Sequence, residues 1–332
     1  MESSISHLPV VVTPFKKAAA QLKWGLLAAL SSLVVMSLQG CVEPHAASVS
    51  PMPLRANPSS TAEVLCHYAQ EEFNSTPSVK ATSKARWSCE GSRRKLTANG
   101  IPDHPTGVFP NPGNPETMSE QRIQVSMPLF PEATPSITRK GGPRVMTGYV
   151  LNGIKIDPGT AGTCNDAGTH CPMGPSFGRW NIEAMGQSSF NFGTDPSNAH
   201  VQPSGTYHYH GIPEEFVAKL NKGVAMTLIG WAGDGFPIYA RYGYSVASDA
   251  HSALKVMQGS YRLKATPDAN RPPTSLYAMG TFEQDREYVA GLGDLDECNG
   301  RIGVTPEFPQ GIYHYYATDS YPYLQRCMKG KL

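Results

Sequence analysis

Residues 145–156 read VMTGYVLNGIKI, two apolar runs separated by Asn152 and Gly153. Asn-Gly between apolar runs is a strong β-hairpin signal, because both residues tolerate the positive φ angles of a type I′ turn. A second pair of runs, at 224–231 and 236–244, flanks Gly-Asp-Gly at 233–235, which is again turn chemistry. These stretches predict a sheet assembled from hairpins.

Two segments have helical spacing instead. Residues 213–223 begin with a proline, carry two glutamates in the first turn and end with a glycine, which predicts a short helix. Apolar residues at roughly helical spacing predict another helix within 62–73. We therefore predict a mainly β fold (β-rich α+β): a single β-sandwich-like or barrel-like domain with few short helices, stapled by disulfides.

The N-terminus has the order of an export signal. Lysines precede an uncharged apolar run from Trp24 to Leu38, which is short for a membrane-spanning helix. The run closes on LQGC at 38–41, which resembles a bacterial lipobox whose cysteine becomes lipidated. We expect residues 1–41 to be a signal peptide and the exported protein to be anchored to the membrane of the cell envelope through Cys41. Ordinary cleavage and secretion is the alternative.

The remaining chain divides by composition. Residues 42–61 are rich in Pro, Ser and Ala without an apolar period, which predicts a tether. We assign 62–118 to an N-terminal extension and 119–332 to the main domain. The net charge of +1 gives no electrostatic case for nucleic acid, which would call for a basic face, so we expect no nucleic-acid partner.

Six of the seven cysteines remain once Cys41 is set aside. An even number is what a disulfide framework in an oxidising compartment requires. No CxxC pair is present, so a zinc ribbon or a thioredoxin-like motif has no support. Many pairings are open to six cysteines, and the simplest joins neighbours: Cys66 with Cys89, Cys164 with Cys171, and Cys298 with Cys327.

The chemistry is concentrated in two related stretches, GTYHYHG at 205–211 and GIYHYY at 311–316. Alternate residues of a strand share a face, so His208 and His210 should project to one face and the tyrosines between them to the other. Two such positions lie about 6–7 Å apart at Cα. Both imidazoles can therefore converge on one ion.

The chain resembles the YHYH family of mostly secreted proteins, named for the motif at 207–210. The resemblance extends over about residues 87–330 and includes further matching stretches at 96–104, 109–111, 233–239, 295–301, 305–309 and 321–323. It implies a secreted domain and little about mechanism. Because the second stretch has Tyr316 in place of the second histidine, a simple duplicated two-histidine site is not expected.

We consider His208 and His210 metal ligands, completed by His200, by His314 or by an acidic residue. Three imidazoles with an open position suit zinc or copper, whereas an oxygen-rich set would favour calcium, the less favoured ion here. The alternative is that the histidines and tyrosines are hydrogen-bonding residues of a β-sandwich. The further candidates are Asp234, Asp296, Glu297 and His104.

The acidic candidates also have structural interpretations. Asp234 lies between glycines and is first a turn residue. Asp296 and Glu297 precede a cysteine, so an acidic turn ahead of a disulfide explains them equally well.

Known catalytic signatures such as Gly-x-Ser-x-Gly and His-Glu-x-x-His are absent. Our leading hypothesis is therefore an extracytoplasmic metal- or ligand-binding domain whose ligand is a small molecule or a cell-surface component. The alternatives are an extracellular metal-dependent hydrolase or oxidase with a histidine-ligated metal, and a purely structural adhesive module. A three-ligand site with an open position would favour chemistry, and a closed four-ligand site would favour a structural metal.

Overall fold

The structure is a computed structural model that describes residues 65–140, 146–173 and 178–332. Strands account for most of the regular structure in these residues. The predicted signal peptide, the tether and Cys41 lie outside the described residues. The helices named within these residues are α1 (Glu214–Leu220) and a short 3-10 turn at Glu283–Asp285. In chain order the strands are β1 (Ala69–Asn74), β2 (Ala81–Glu90), β3 (Arg93–Ala98), β4 (Ile123–Pro128), β5 (Arg139–Lys140), β6 (Gly148–Val150), β7 (Lys155–Ile156), β8 (Thr163–Cys164), β9 (Trp180–Asn181), β10 (Ala199–Val201), β11 (Tyr207–Tyr209), β12 (Thr227–Ala232), β13 (Pro237–Ala240), β14 (Tyr242–Tyr244), β15 (Leu254–Val256), β16 (Tyr261–Leu263), β17 (Arg286–Tyr288), β18 (Gly300–Gly303), β19 (Ile312–Ala317) and β20 (Cys327–Met328).

Two larger sheets organise the described chain. One has four antiparallel strands in the order β1-β2-β3-β4, and the other has eight strands in the order β10-β11-β7-β6-β12-β13-β19-β18. In the larger sheet β11 runs parallel to β7 and β13 runs parallel to β19, whereas the other neighbours are antiparallel. The mainly β prediction is confirmed, and no closed barrel forms within the described residues.

The two sheets share one hydrophobic core. Trp87 and Leu96 of the smaller sheet and Tyr209 and Trp231 of the larger one are all buried in it. The Trp87 indole N–H also donates to the carbonyl of Leu151, at 2.8 Å. Strand β4 lies after the boundary that we predicted at residue 119, and its partner β3 lies before it. The extension and the main domain therefore contribute to one sheet.

The hairpin predictions are confirmed, with one correction to a turn. Strands β6 and β7 pair antiparallel, as do β12 and β13. In the first loop Gly153 has a φ of 83°, whereas Asn152 does not adopt a positive φ. The Val150 amide donates to the Ile154 carbonyl at 2.9 Å, which closes a three-residue loop, 151–153, in place of the type I′ turn that we expected. The buried Asn152 side chain accepts a hydrogen bond from the Ile154 amide at 3.2 Å.

One helix prediction is confirmed and the other is wrong. Helix α1 lies within the predicted 213–223 and ends at Leu220, and its C-cap residue Asn221 adopts the left-handed conformation. The segment predicted as a helix at 62–73 instead contributes strand β1, which pairs with β2 along its whole length. Backbone pairing at this sheet edge outweighs a weak apolar pattern, and Phe73, one of the residues in that pattern, is 61% exposed.

The three disulfides join the neighbouring cysteines as predicted. Cys66 is bonded to Cys89, Cys164 to Cys171, and Cys298 to Cys327, with sequence separations of 23, 7 and 29 residues. Such closures stabilise a fold mainly by restricting the unfolded chain. Among the described residues no helix has the length and apolar character needed to cross a membrane.

Candidate metal centre

Two adjacent strands bring three histidines together. His200, on the edge strand β10, lies directly opposite His208 on β11, and His210 follows the end of β11. The three ring centroids are 4.6 to 4.7 Å apart, and one ring nitrogen from each histidine lies within 4.8 Å of the other two. His208 and His210 are buried, and His200 is partly exposed.

Strand alternation explains why the two motif histidines share a face. The rings of Tyr207 and Tyr209 contact each other at 5.7 Å, and both side chains are fully buried in the core between the sheets. His208 and His210 therefore project from the opposite face of β11. A separate, smaller apolar cluster includes Phe192, whose ring packs edge-on against His200 at 6.1 Å.

Backbone carbonyls fix the protons on two of the imidazoles. Nδ1 of His200 lies 2.8 Å from the carbonyl oxygen of Phe192, and Nδ1 of His208 lies 3.3 Å from that of Thr206. A carbonyl oxygen only accepts, so each Nδ1 must carry the proton and each Nε2 must present its lone pair. Hydrogen bonding of Nδ1 to a carbonyl is also how proteins orient histidines that bind metals through Nε2.

His210 lacks a normal set of hydrogen-bond partners. Its Nε2 lies 3.0 Å from Nε2 of His200, and its Nδ1 is buried without a hydrogen-bond partner. In a tetrahedral zinc site, Zn–N distances of about 2.0–2.1 Å place neighbouring ligand nitrogens about 3.3 Å apart. The observed separation is close to that value. Without an ion, Nε2–H of His210 donates to the lone pair of His200 Nε2. With the His210 proton on Nδ1 instead, both Nε2 lone pairs would face a cation, so the residues fit a metal ion.

Burial keeps the cluster in the protonation state that metal binding requires. It lowers the pKa of His200, and it lowers the pKa values of His208 and His210 well below the usual histidine value. The imidazoles also disfavour one another's charged forms. Neutral imidazole is the ligand form, so an ion can bind near neutral pH without displacing protons from these rings.

Asp157 is an acidic neighbour that our sequence analysis missed. It follows β7, whose Lys155 lies opposite His208 in the parallel pairing. One of its oxygens lies 3.3 Å from Lys155 Nζ, and the other, Oδ1, is buried with no hydrogen-bond partner. Burial raises its pKa, and its negative charge favours the protonated form of His200. Asp157 lies outside the three-histidine ligand set, where its charge can compensate a bound cation.

The structure does not bring the other histidine candidates to this cluster. His314 lies on β19, where Nδ1 is 2.9 Å from the Ile312 carbonyl oxygen and Nε2 is 3.0 Å from the Tyr316 hydroxyl. His104 lies 2.6 Å from the Tyr209 hydroxyl and so is on the opposite face of β11 from the three histidines. Within the described residues the potential metal ligands gathered in a group of three or more are His200, His208 and His210.

The acidic candidates make structural contacts elsewhere. Asp234 is a buried turn residue that accepts hydrogen bonds from the Tyr315 hydroxyl, at 2.6 Å, and from the Gly330 amide, at 2.8 Å. Asp296 and Glu297 each form an ion pair with Lys329, at 3.2 Å. These contacts agree with the turn interpretation of all three residues.

The fold and the cluster together define a β-rich, disulfide-stapled protein with a histidine triad that could hold a metal ion. A family model described as YHYH protein matches residues 124–330, more than half of the chain. The chain therefore belongs to the YHYH family. Neither a curated protein nor a solved structure was found to match it.

Proposed function

We propose that this chain is an extracytoplasmic metal-binding protein that holds zinc or copper on His200, His208 and His210. The observation that carries the proposal is the convergence of three ring nitrogens within 4.8 Å of one another, one of them 3.0 Å from its neighbour. Imidazole ligands suit zinc and copper, whereas calcium prefers oxygen ligands.

An open coordination position is part of this proposal. Among the described residues the cluster offers three ligands, and three protein ligands plus an exchangeable fourth position are typical of sites that bind or activate a small molecule. His200 lies on an edge strand and its side chain is only partly buried, which places it nearest the protein surface among the three ligands.

The second candidate is a metal-dependent hydrolase or oxidase. Asp157 favours it, because this buried carboxylate has an oxygen without a hydrogen-bond partner and lies close enough to His200 to influence its charge. Burial raises the pKa of the Asp157 carboxyl group, which strengthens it as a proton acceptor. A bound metal would supply the Lewis acidity that such chemistry requires.

We further propose that the protein is exported and anchored to the cell envelope through a lipid on Cys41, with secretion as the alternative. The signal-like order of residues 1–41 supports export, and the three disulfides are typical of proteins that mature in an oxidising compartment. Its ligand there would be a small molecule or a cell-surface component.

Cobalt substitution tests the site and its open position together. We expect the metal-free protein to bind one Co²⁺ with the visible absorption of a tetrahedral site, and His210→Ala to lose that absorption. Added azide should then shift the spectrum by occupying the fourth position. Failure to bind Co²⁺, Zn²⁺ and Cu²⁺ would reject the metal site. A Co²⁺ spectrum that azide leaves unchanged would indicate a closed, structural site and would exclude the enzymatic candidate.

A further inference from the structure

The eight-stranded sheet consists of two halves with the same topology. The first half contains the hairpins β6–β7 and β10–β11, with β7 parallel to β11. The second half contains the hairpins β12–β13 and β18–β19, with β13 parallel to β19. The halves meet where β6 pairs antiparallel with β12.

The register at this junction is that of a two-fold axis. Gly148 pairs with Ala232, and Val150 pairs with Gly230. If Gly148 corresponds to Gly230 and Val150 to Ala232, exchanging the two halves converts the first of these pairs into the second. The axis therefore passes between Tyr149 and Trp231, which pair with each other.

The hairpin loops of the two halves repeat the same contacts. Gly153 and Gly235 have φ angles of 83° and 89°. Oδ1 of Asn152 accepts from the amide two residues later at 3.2 Å, and Oδ1 of Asp234 does the same at 3.4 Å. Asn152 donates to the Tyr209 hydroxyl at 3.0 Å, and the corresponding Tyr315 hydroxyl donates to Asp234 at 2.6 Å.

The outer hairpins match residue by residue as well. The first motif tyrosine of each half bonds an aspartate that precedes the outer hairpin, Tyr207 with Asp195 at 2.6 Å and Tyr313 with Asp296 at 3.0 Å. Three residues after each aspartate, an asparagine adopts a positive φ, 56° at position 198 and 62° at position 299. The backbone N–H of each asparagine donates to the backbone carbonyl of the corresponding aspartate at 3.0 Å.

This correspondence gives every member of the histidine cluster a counterpart. His200 pairs across the strands with His208, and Arg301 pairs in the same way with His314. His210 corresponds to Tyr316, which also follows the motif histidine by two positions. The second half therefore has Arg301, His314 and Tyr316 where the first half has three histidines.

Hydrogen bonds join the members of the second set, although Nε of Arg301 is buried without a hydrogen-bond partner. Arg301 donates to the Tyr316 hydroxyl at 3.4 Å and to the Tyr244 carbonyl at 2.7 Å. Because His314 donates Nδ1–H to the Ile312 carbonyl, its Nε2 accepts the Tyr316 hydroxyl hydrogen. The lone pair that His208 keeps for a metal is thus occupied in His314, and the guanidinium supplies a permanent positive charge.

We infer that the second half is a closed copy of the metal site, in which the Arg301 guanidinium replaces the ion. The inference rests on the proposed function of the first half. It means that the eight-stranded sheet holds one ion rather than two. It also means that His314 is a retained ligand position, which two substitutions would return to metal binding.

The direct test is the double variant Arg301→His with Tyr316→His, loaded with Zn²⁺ and measured by elemental analysis. We expect the metal content to rise from one to two ions per chain. The single variant Tyr316→His should remain at one, because Arg301 still places its charge at the site. A folded double variant that stays at one ion, beside a wild type that holds one, would overturn the inference. A wild type without an ion would instead reject the proposed function.

If that double variant does not fold, the reverse exchange provides a second test of whether the two sets of positions are equivalent. His200→Arg with His210→Tyr should abolish Zn²⁺ binding, because it places the closed set in the first half. Its metal-free melting temperature should be at least that of His200→Ala with His210→Ala, since the introduced groups can hydrogen-bond one another. A reverse exchange that unfolds the protein while the alanine pair folds would show that the two sets of positions are not equivalent.

Discussion

The buried His314 should make folding sensitive to acid in a measurable way. Burial lowers its pKa to about 3, whereas a histidine in the unfolded chain titrates at about 6.5. Below pH 6.5 the unfolded chain therefore binds a proton that the folded chain does not, and the free energy of unfolding falls as the pH falls. Between pH 7.5 and 5.5 this side chain should account for a loss of about 1.4 kcal/mol.

Comparison of the wild type with His314→Gln isolates this contribution. Glutamine does not titrate, so over the same interval the variant should lose about 1.4 kcal/mol less stability than the wild type. Denaturant unfolding of the metal-free proteins, with disulfides intact, measures the difference. The low pKa values of His208 and His210 act in the same direction in both proteins and cancel. Parallel stability curves for the two proteins would refute the reasoning.

Three further predictions concern processing, disulfides and the acidic neighbour of the triad. When it is expressed in a bacterium, the mature chain should begin at a lipidated Cys41, and Cys41→Ser should release or mislocalise the protein. Mass spectrometry that shows an intact Met1 end would contradict the lipid anchor. Asp157→Asn should weaken metal binding, because it removes a negative charge beside the ligands, and unchanged affinity in a metal titration would exclude that role. Alkylation of the denatured, unreduced protein should label none of the six cysteines Cys66, Cys89, Cys164, Cys171, Cys298 and Cys327. Labelling of any of them would contradict the three disulfides.

Local patterns in the sequence were sufficient for the features that depend on neighbouring residues. The turn chemistry at 152–153 and 233–235 predicted both central hairpins, and strand alternation predicted that His208 and His210 share a face. Neighbouring cysteines paired in the simplest way. Each of these features is determined over a short separation along the chain, where backbone geometry leaves few alternatives.

Features that depend on pairing between distant strands could not be predicted. Asp157 comes close to the histidines because β7 runs parallel to β11, and nothing around position 157 indicates that pairing. The likeness of the two motifs suggested His314 as a ligand, yet the sheet places it in the other half, against Tyr316. Strand β1 was mistaken for a helix because its partner β2 determines its conformation.

Metal content tests the central claim most directly. The wild type, purified from an oxidising compartment, should contain about one zinc or copper ion per chain by elemental analysis. His208→Ala with His210→Ala should contain none, whereas His314→Gln, the matched control from the second motif, should retain the ion. Absence of metal from the wild type even after incubation with Zn²⁺ and Cu²⁺, or equal metal content in the wild type and the double alanine variant, would contradict the account.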